Sequence, residues 1–518
     1  MAHELIRLAK SQGVHLYLDN GALKYKAKNG LSKELATALR SSKSEVIAFL
    51  QQHTKQSTSI PKKEANRLRF PLTSAQQRLF YLETLYGDKA PYNMATAFRM
   101  SGMPSIEKLE NAINAIIEKH QVLKTQFQIM DGIPEQVISP DFLFTISECP
   151  DTPSISNAVT DEEWMAKEAS RPFILSEAPL FRVSTKASSN SNSTLILFVF
   201  HHIVFDGLSY RLFFNALNEY LSTGKIEQVL DYQYGDYAAW QQTEGNTALK
   251  AGEAYWFKQM KGVEELNSLT PDFPRPDTPE FSGTISRQIL DKHLTATLRA
   301  FAQQQGVSLF TLLQTFFSLL IGRWTERSDV VTGTPVAGRQ VSGSEQLIGF
   351  FVNTLALRFN LDDDHTFLSL LKHSKTKIAE AFRHQDVPFE RIVQQLGHER
   401  RSGFSPILQV LFALHEEGEF QLDIDGIPCE NVVVERSNIN FELELHVMDK
   451  GEVLEATWVF ADNLFHETTI TSLQEALNAL IQGVLADPET DIYRLPLISL
   501  KAEQTIASWN QTGRDYPL

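Results

Sequence analysis

Cysteine is scarce in this chain of 518 residues, which contains only Cys149 and Cys429. Two cysteines without a CxxC pair supply no disulfide framework and no cysteine-based metal site, and their scarcity fits a reducing cytoplasm. No apolar run approaches the roughly 18 residues of a membrane span. The opening "MAHELIRLAK" is amphipathic and lacks the apolar centre of a signal peptide. These absences predict a cytoplasmic protein with no membrane partner.

Basic charge is scarce outside the N-terminal region, and the chain has a formal net charge of −15. This balance argues against a nucleic-acid partner. The charge is uneven, because residues 1–69 hold 13 Lys+Arg against 5 Asp+Glu, which leaves 35 of the 48 basic and 58 of the 63 acidic residues for the rest. A small basic module therefore precedes a large acidic body, and we expect the two to meet different partners.

Residues 1–53 have the pattern of a small self-contained module. After a short helical segment, "VHLYLDNGALKYKA" predicts two strands around Asn20 and Gly21, which tolerate the positive φ of a two-residue hairpin turn. Two short helices follow, and the second opens with capping-box spacing at Ser42 and Glu45. Such a module either stabilises the next domain or docks a partner peptide on an open strand edge. The residue pattern favours neither alternative.

The rest of the chain predicts a linker over residues 54–69 and then a large α+β body. From Phe70 onward, helical patterns such as "LFTLLQTFFSLLIGRW" mix with strand patterns such as "TLILFVF" and "DVVTGTPV". The stretch "STGKIEQVLDYQYGDYAAWQQ" predicts an irregular connection between two halves. The final "SLKAEQTIASWNQTGRDYPL" is polar and forms no domain of its own, so we expect it to be part of a longer chain.

The stretch "FHHIVFDGLS" places two histidines and an aspartate at the end of an apolar strand, where burial makes them costly. Because side chains alternate along a strand, His201 is expected on the face of Leu197 and Val199, and His202 on the opposite face. Adjacent histidines then point apart and cannot chelate one ion. No HExxH or other ligand set accompanies them, so no metal is expected. One histidine should face the interior and the other a cleft.

A neutral imidazole in a cleft suits general base catalysis near pH 7, and no GxSxG nucleophile motif accompanies it. These features indicate acyl transfer by direct attack, without a covalent enzyme intermediate. Asp206 stands at the exit of the strand, where Gly207 is expected to let the chain turn tightly. Asp206 is either a third catalytic group or a structural anchor, and its short reach and its place after the strand favour the anchor.

The motif "HHIVFDG" resembles the HHxxxDG signature of condensation domains of nonribosomal peptide synthetases. "LTSAQQRLFYL" and "EKHQVLKTQF" resemble the two family motifs before it, and "YGDYAAWQQ" resembles the motif after it. "IGFFVNTLALR", "HQDVPFERIV" and "RSGFSPILQVLF" resemble the last three. The ordered set spans Thr73 to about Phe412, and the resemblance continues to about residue 500. It implies a chloramphenicol-acetyltransferase-like fold with two lobes in a V, residues 70–248 and 249–500, and a tunnel at their junction.

The resemblance also implies the reaction. Donor and acceptor carrier proteins present thioesters on 4'-phosphopantetheine arms, with no cofactor bound by this chain, and the acceptor amine attacks the donor thioester. The motif puts His202 at the centre, either as the base or as the group that positions the amine, while Gly207 offers a backbone N–H to the reacting carbonyl. His201 supports the site, and an ion pair between Asp206 and Arg339 of "TPVAGRQ" anchors the motif.

Three further positions match family residues near the tunnel or in its motifs, namely Asn353 in "FVNT", Ser308 in "GVSLFTLL" and Arg78 in "AQQRLF". Hydrogen bonds at the ends of structural elements explain Asn353 and Ser308 at least as well. Arg78 is explained equally by a surface position or by packing between the lobes. We therefore rank all three below His202.

The first 53 residues resemble the N-terminal docking domain of tubulysin-synthetase type. The implied partner is a short C-terminal segment of an upstream subunit, either a peptide or a polyketide synthase, which adds alongside the hairpin. The basic balance predicts that this segment is acidic, with Lys24 and Lys26 as its contacts unless they only solvate an edge strand. "WNQTGRDYP" in residues 501–518 resembles the start of a linker to a following adenylation domain.

Several alternatives to a condensation enzyme stay open. A catalytically silent recruitment platform of this fold usually lacks the histidine pair, which is present here. Cyclising relatives carry DxxxxD in place of the histidines, and epimerising relatives keep the histidines but follow a carrier domain. A coenzyme-A-dependent acyltransferase would leave the docking module and the terminal linker without a role. "LTSAQQRLFYLETLYGDKAPYNM" more closely resembles domains that accept an L-configured donor.

Overall fold

The computed structural model describes most of the chain and divides it into two compact units. The described residues are 9, 14–19, 22–27, 35–36, 39, 43, 60, 67–148, 160–188, 192–226, 229–243, 245–267, 269–277, 280–397, 405–416, 421–434, 439–498 and 500–511. The smaller unit comprises Met1–Ile60 with Val341–Glu345, and the larger comprises Pro61–Gln340 with Gln346–Leu518.

The smaller unit contains the hairpin that the sequence predicts. Strand β1 (Val14–Asp19) pairs antiparallel with β2 (Ala22–Ala27), and Asp19 lies opposite Ala22. The predicted turn residues 20 and 21 lie outside the described residues. Lys24 is exposed and lies opposite Tyr17, while Lys26 is paired with His15. The helices predicted before and after the hairpin lie largely outside the described residues.

The larger unit mixes helices and sheets, which confirms the α+β class. Its described helices are α1 (Ser74–Tyr86), α2 (Ile106–Lys119), α3 (Asp161–Ser170), α4 (Gly207–Thr223), α5 (Tyr234–Thr243), α6 (Gly245–Met260), α7 (Lys292–Gln304), α8 (Leu309–Thr325), α9 (Phe367–Arg383), α10 (Phe389–Gln395), α11 (Glu467–Ala486) and α12 (Leu500–Trp509).

The strands of the larger unit form four described sheets. The strands are β3 (Arg69–Pro71), β4 (Asn93–Ser101), β5 (Thr125–Met130), β6 (Ile133–Ile138), β7 (Ser147–Glu148), β8 (Phe181–Ala187), β9 (Ser193–His201), β10 (Gly283–Leu290), β11 (Asp329–Val336), β12 (Asn353–Asn360), β13 (Val410–Glu416), β14 (Asp423–Ile424), β15 (Ile427–Pro428), β16 (Glu430–Val432), β17 (Leu443–Asp449) and β18 (Leu454–Ala461). Their orders are β16-β4-β9-β8-β7, β3-β6-β5, β10-β18-β17-β13-β11-β12 and β14-β15.

Strand β9 is covered on both faces, as its continuous apolar sequence predicts. Its odd-numbered residues pack with Trp164 and Met165 of α3 in one core cluster. On the other face, Phe198 lies edge-on to Phe213 of α4, with ring centroids 6.0 Å apart. Because β9 lies in the middle of its sheet between β4 and β8, its last residue is fixed in the interior.

The six-stranded sheet supports the second half of the unit. Helix α8, predicted from "LFTLLQTFFSLLIGRW", has twelve buried residues and packs in the same core cluster as α9 and α11. Strand β11, also predicted, pairs antiparallel with β12 and parallel with β13. The chain leaves β11 at Val336 and reaches Arg339 three residues later. This exit is where the second half contributes to the candidate site.

Two segments for which no helix was predicted are helical. Helix α5 occupies the second part of "STGKIEQVLDYQYGDYAAWQQ", where Tyr234, Tyr237 and Ala238 are buried. Helix α12 lies in the polar final segment, and residues 512–518 are outside the described part. Helix α6 runs through residues 248 and 249, where the sequence predicts that the two lobes meet.

Among the described residues, no single helix is long and apolar enough to cross a membrane. Helices α7 and α8 pass that test only when taken together as a pair bent by 104°.

Candidate active site

The two histidines lie in different local structures. Strand β9 ends at His201, and His202 begins a one-turn 3-10 helix that extends to Val204. Strand alternation therefore applies to His201 and not to His202, which lies just outside the strand. The physical reason is a side-chain cap, because Nδ1 of His201 accepts the backbone N–H of Ile203 at 3.1 Å and draws the chain out of the strand. His201 is completely buried, whereas His202 is half-buried.

The ring of His202 is held by its own turn. Its Nδ1 lies 2.6 Å from the carbonyl oxygen of Phe205. A carbonyl only accepts, so Nδ1 carries a proton, and in the neutral ring the lone pair is then on Nε2. The backbone N–H of His202 donates to the carbonyl of Tyr92 at 2.9 Å, and its ring lies 4.6 Å from that of Phe350. The arrangement presents Nε2 as a hydrogen-bond acceptor or base.

Gly207 is the first residue of helix α4, and Asp206 caps that helix. The φ of Gly207 lies outside the left-handed region, so the change of direction between β9 and α4 does not depend on glycine's conformational freedom. A Cβ built on Gly207 would meet nothing within 4 Å, so the space beside its backbone is open. The N–H groups in the first turn of an α-helix have no partner within the helix. Open space therefore adjoins a helix N-terminus five residues after His202.

Asp206 and Arg339 are in direct contact, although 133 residues separate them along the chain. Nη2 of Arg339 lies 2.8 Å from Oδ1 and 2.9 Å from Oδ2 of Asp206, so one nitrogen contacts both oxygens. The carboxylate also accepts Ser209 N–H at 2.9 Å, Ser209 Oγ–H at 2.7 Å and Phe351 N–H at 3.2 Å. Nη1 of Arg339 donates to the carbonyl of Leu347. These five contacts satisfy a buried carboxylate.

Two buried residues near this ion pair were not identified from the sequence. His120, in the quoted "EKHQVLKTQF", accepts the backbone N–H of Ile348 at 3.4 Å on Nδ1. Burial, followed by the nearby charges of Lys119 and Arg339, lowers the pKa of His120 to about 3, so this ring is neutral. The hydroxyl of Tyr234 donates to the carbonyl of Phe350 at 2.6 Å. Position inside a family motif was the only sequence signal for either residue.

The three lower-ranked positions make structural contacts. Nδ2 of Asn353 donates to the carbonyls of Gln385 and Val387 at 2.8 and 2.7 Å, and its Oδ1 accepts from the N–H of Phe389. Ser308 is exposed and caps helix α8, accepting the N–H of Thr311 at 3.1 Å.

Arg78 of helix α1 forms an ion pair with Glu390 of helix α10, with 3.3 Å between Nη1 and Oε1. This contact joins the first and second halves of the larger unit. Within the described ranges, no group of three or more His, Cys, Asp or Glu side chains is arranged to hold a metal ion.

Comparison with known proteins gives the family. The model of the Condensation domain matches residues 66–507, and the model of the TubC N-terminal docking domain matches residues 3–52. One of the linear gramicidin synthase polypeptides of Brevibacillus parabrevis is 34% identical over 488 residues, which cover 91% of this chain and 6% of that protein. The chain thus spans a small fraction of the length of this relative.

Solved structures show the same fold. Holo-AB3403, a four-domain nonribosomal peptide synthetase bound to AMP and glycine, aligns with a TM-score of 0.77 and 21% identity over 85% of this chain and 35% of that one. The X-domain from teicoplanin biosynthesis aligns with a TM-score of 0.76 and 22% identity over 84% of this chain and 99% of that one. The chain therefore belongs to the condensation-domain family of nonribosomal peptide synthetases and carries a TubC-type docking domain at its N-terminus.

Proposed function

We propose that the larger unit forms a peptide bond between two carrier-bound substrates. The donor is an aminoacyl or peptidyl thioester, most consistent with an L-configured residue, and the acceptor is an aminoacyl thioester with a free amine. Both arrive on 4'-phosphopantetheine arms of carrier proteins. The amine nitrogen attacks the donor carbonyl carbon, the C–N bond forms, the C–S bond breaks, and the upstream carrier leaves as its thiol.

The observation that carries this proposal is the fixed orientation of His202. Its Nδ1–H bond to Phe205 puts the lone pair of the neutral ring on Nε2, so the neutral ring can accept a proton from the attacking amine and return it to the departing thiolate. The same atom can orient the amine by accepting a hydrogen bond. Such orientation contributes several kcal/mol to lowering a barrier even without full proton transfer.

The start of helix α4 provides the complementary group for the developing oxyanion. Gly207 has open space where a side chain would otherwise project, and its backbone N–H belongs to the positive end of a 17-residue helix. The absence of a side chain lets a thioester carbonyl approach that N–H. Asp206 and Arg339 hold the helix start in place and are not expected to touch substrate.

The N-terminal unit is proposed to dock an acidic C-terminal segment of the upstream subunit. Support comes from the basic balance of residues 1–69 and from the hairpin, on which Lys24 is exposed. The charge pattern and the scarcity of cysteine support a cytoplasmic location with no nucleic-acid partner. Residues 501–518 are proposed to begin a linker to a following adenylation domain.

The direct test loads the donor and acceptor carriers and follows amide formation by intact-protein mass spectrometry. His202→Ala is expected to abolish product while keeping the melting temperature, and His201→Ala is expected to lose mainly folded protein. An active His202→Ala variant would refute the proposed role of His202. A wild-type protein that binds both carriers but makes no product would favour the silent recruitment platform.

Docking is tested separately by titrating the protein with peptides from the C-termini of candidate upstream subunits. Acidic peptides should bind the intact chain and not a variant that lacks residues 1–53, and added salt should weaken the binding. Binding that survives the deletion would contradict the docking assignment.

A further inference from the structure

Glu83 of helix α1 lies against His201 in the interior. Its Oε2 is 3.4 Å from Nε2 of the imidazole, and the two side chains are 3% and 0% exposed. Among the described residues, neither carboxylate oxygen of Glu83 nor Nε2 of His201 makes a hydrogen bond, and the approach of Oε2 to Nε2 is slightly too long or too bent to be one. The rings of Tyr92 and Phe173 flank the imidazole edge-on, with centroids 6.4 and 6.0 Å away. Buried polar atoms need partners, and Oε2 of Glu83 and Nε2 of His201 are placed to supply one to each other.

The other nitrogen of His201 determines which atom is the donor. Nδ1 accepts the N–H of Ile203 at 3.1 Å, so Nδ1 carries a lone pair. The neutral ring must then carry its proton on Nε2, which points toward Glu83. A protonated imidazolium, or the opposite tautomer, would set an Nδ1–H against the N–H of Ile203. An approach of about 0.5 Å between Nε2 and Oε2 would bring this pair to ordinary hydrogen-bond distance.

This pair bears on the turn that contains His202. The cap that His201 places on Ile203 N–H begins the 3-10 turn, and His202 is the first residue of that turn. Helix α1 holds the same turn at a second point, because Nε2 of Gln76 donates to the carbonyl of Ile203 at 3.0 Å. Gln76 and Glu83 are seven residues apart, which places both on one face of the helix. One helix face therefore contacts the carbonyl of Ile203 directly and its N–H through His201.

We propose that Glu83 is a positioning residue for amide formation. Its carboxylate oxygen accepts Nε2–H of His201, which keeps Nδ1 free to cap the turn and thereby fixes the position of the reactive nitrogen of His202. The role requires an acceptor oxygen and not a negative charge. The inference rests on the proposed function only for its effect on rate, since the hydrogen bond itself can be observed without substrate.

The test compares Glu83→Gln, which keeps an acceptor oxygen, with Glu83→Leu and Glu83→Met, which fill the space without one. The glutamine variant should keep kcat within about threefold of wild type. The leucine and methionine variants should lower kcat by about 10- to 100-fold, the range expected when a reacting group is misplaced, with little change in the acceptor concentration for half-maximal rate. Gln77→Leu, on an exposed position of the same helix, is the matched control.

Stability separates positioning from a merely structural role. The leucine and methionine variants remove the desolvation cost of a buried carboxylate but leave Nε2–H of His201 without an acceptor. These two effects oppose each other, so the melting temperatures should stay close to that of wild type while kcat falls. Full activity in both variants would overturn the inference. Loss of activity in Glu83→Gln equal to that in Glu83→Leu would also overturn it.

Proton NMR decides the pairing independently of turnover. The Nε2–H resonance of His201, assigned by its loss in His201→Gln, should lie downfield in wild type and in Glu83→Gln and move upfield in Glu83→Leu. An unchanged resonance in Glu83→Leu would refute the hydrogen bond. If wild type made no product, the proposed function would fail while this resonance still tested Glu83.

Discussion

Asp206 and Arg339 provide the sharpest test of how the candidate site is held together. The two side chains are 1% and 3% exposed, and Asp206 accepts five contacts from Arg339, Ser209 and Phe351. Asp206→Ala leaves the arginine charge buried without its partner. Breaking a buried ion pair in this way costs about 3–5 kcal/mol, a large share of the roughly 5–15 kcal/mol that stabilises a typical domain.

The surrounding donors predict the order of the variants. Asp206→Asn should be almost as harmful as Asp206→Ala, because the new NH2 group would face donors on either side of the site. Arg339→Met should cost less, since Asp206 keeps three donors from Ser209 and Phe351. The double variant should be no less stable than Asp206→Ala, because it removes both buried charges.

Urea unfolding followed by circular dichroism measures these differences, and amide formation is measured in parallel. Asp291 is the matched control, because it caps helix α7 through the N–H of Leu294 at 2.8 Å but is exposed. Asp291→Ala should cost about 1 kcal/mol, the usual value for a lost cap. The reasoning is refuted if Asp206→Ala also costs only about 1 kcal/mol, or if the two single losses add fully in the double variant.

Three further variants test other parts of the site. Gly207→Ala should fold with an unchanged melting temperature but form amide about 10- to 100-fold more slowly, because the methyl group fills the space that a substrate carbonyl needs; full activity would contradict the proposed oxyanion contact. Tyr234→Phe should lose about 1–3 kcal/mol in urea unfolding, because the Phe350 carbonyl loses its donor, and an unchanged midpoint would contradict this. The pKa of His120 is lowered from 6.5 to about 3, so acid protonates the unfolded chain first and stability is lost as pH falls from 6.5 toward 3. By pH 5 the free energy of unfolding should be about 2 kcal/mol lower than at neutral pH because of this one group. His120→Asn should lack that part of the pH dependence. Identical urea midpoints at every pH in the two proteins would refute this prediction.

Hydrophobic patterns in the sequence identified the elements that are buried through apolar side chains. Strand β9 and helix α8 are largely apolar and buried, so their composition was enough to predict them. Helix α5 was missed because its buried face is made of Tyr234, Tyr237 and small residues, and tertiary hydrogen bonds rather than an apolar stripe hold it.

The candidate site was also predicted only in part. The ordered motifs pointed to His202 and to an Asp206–Arg339 contact, which the structure contains. Strand alternation could not reveal that His201 caps the next turn with its own side chain, since that depends on one imidazole nitrogen meeting one backbone N–H. Likewise, the open space at Gly207 depends on what surrounds the residue and not on its own conformational freedom.

The 133 residues between Asp206 and Arg339 also affect when the site can form during synthesis. At roughly 5–20 residues per second, translation delivers the arginine about 7 to 27 s after the aspartate. Until then a carboxylate destined for the interior has no counter-ion, and its desolvation opposes early closure of the first half. The HHxxxDG motif should therefore reach its final geometry only after the second half is made. A ribosome-stalled chain ending before Arg339 should leave this segment sensitive to protease, while the finished chain protects it.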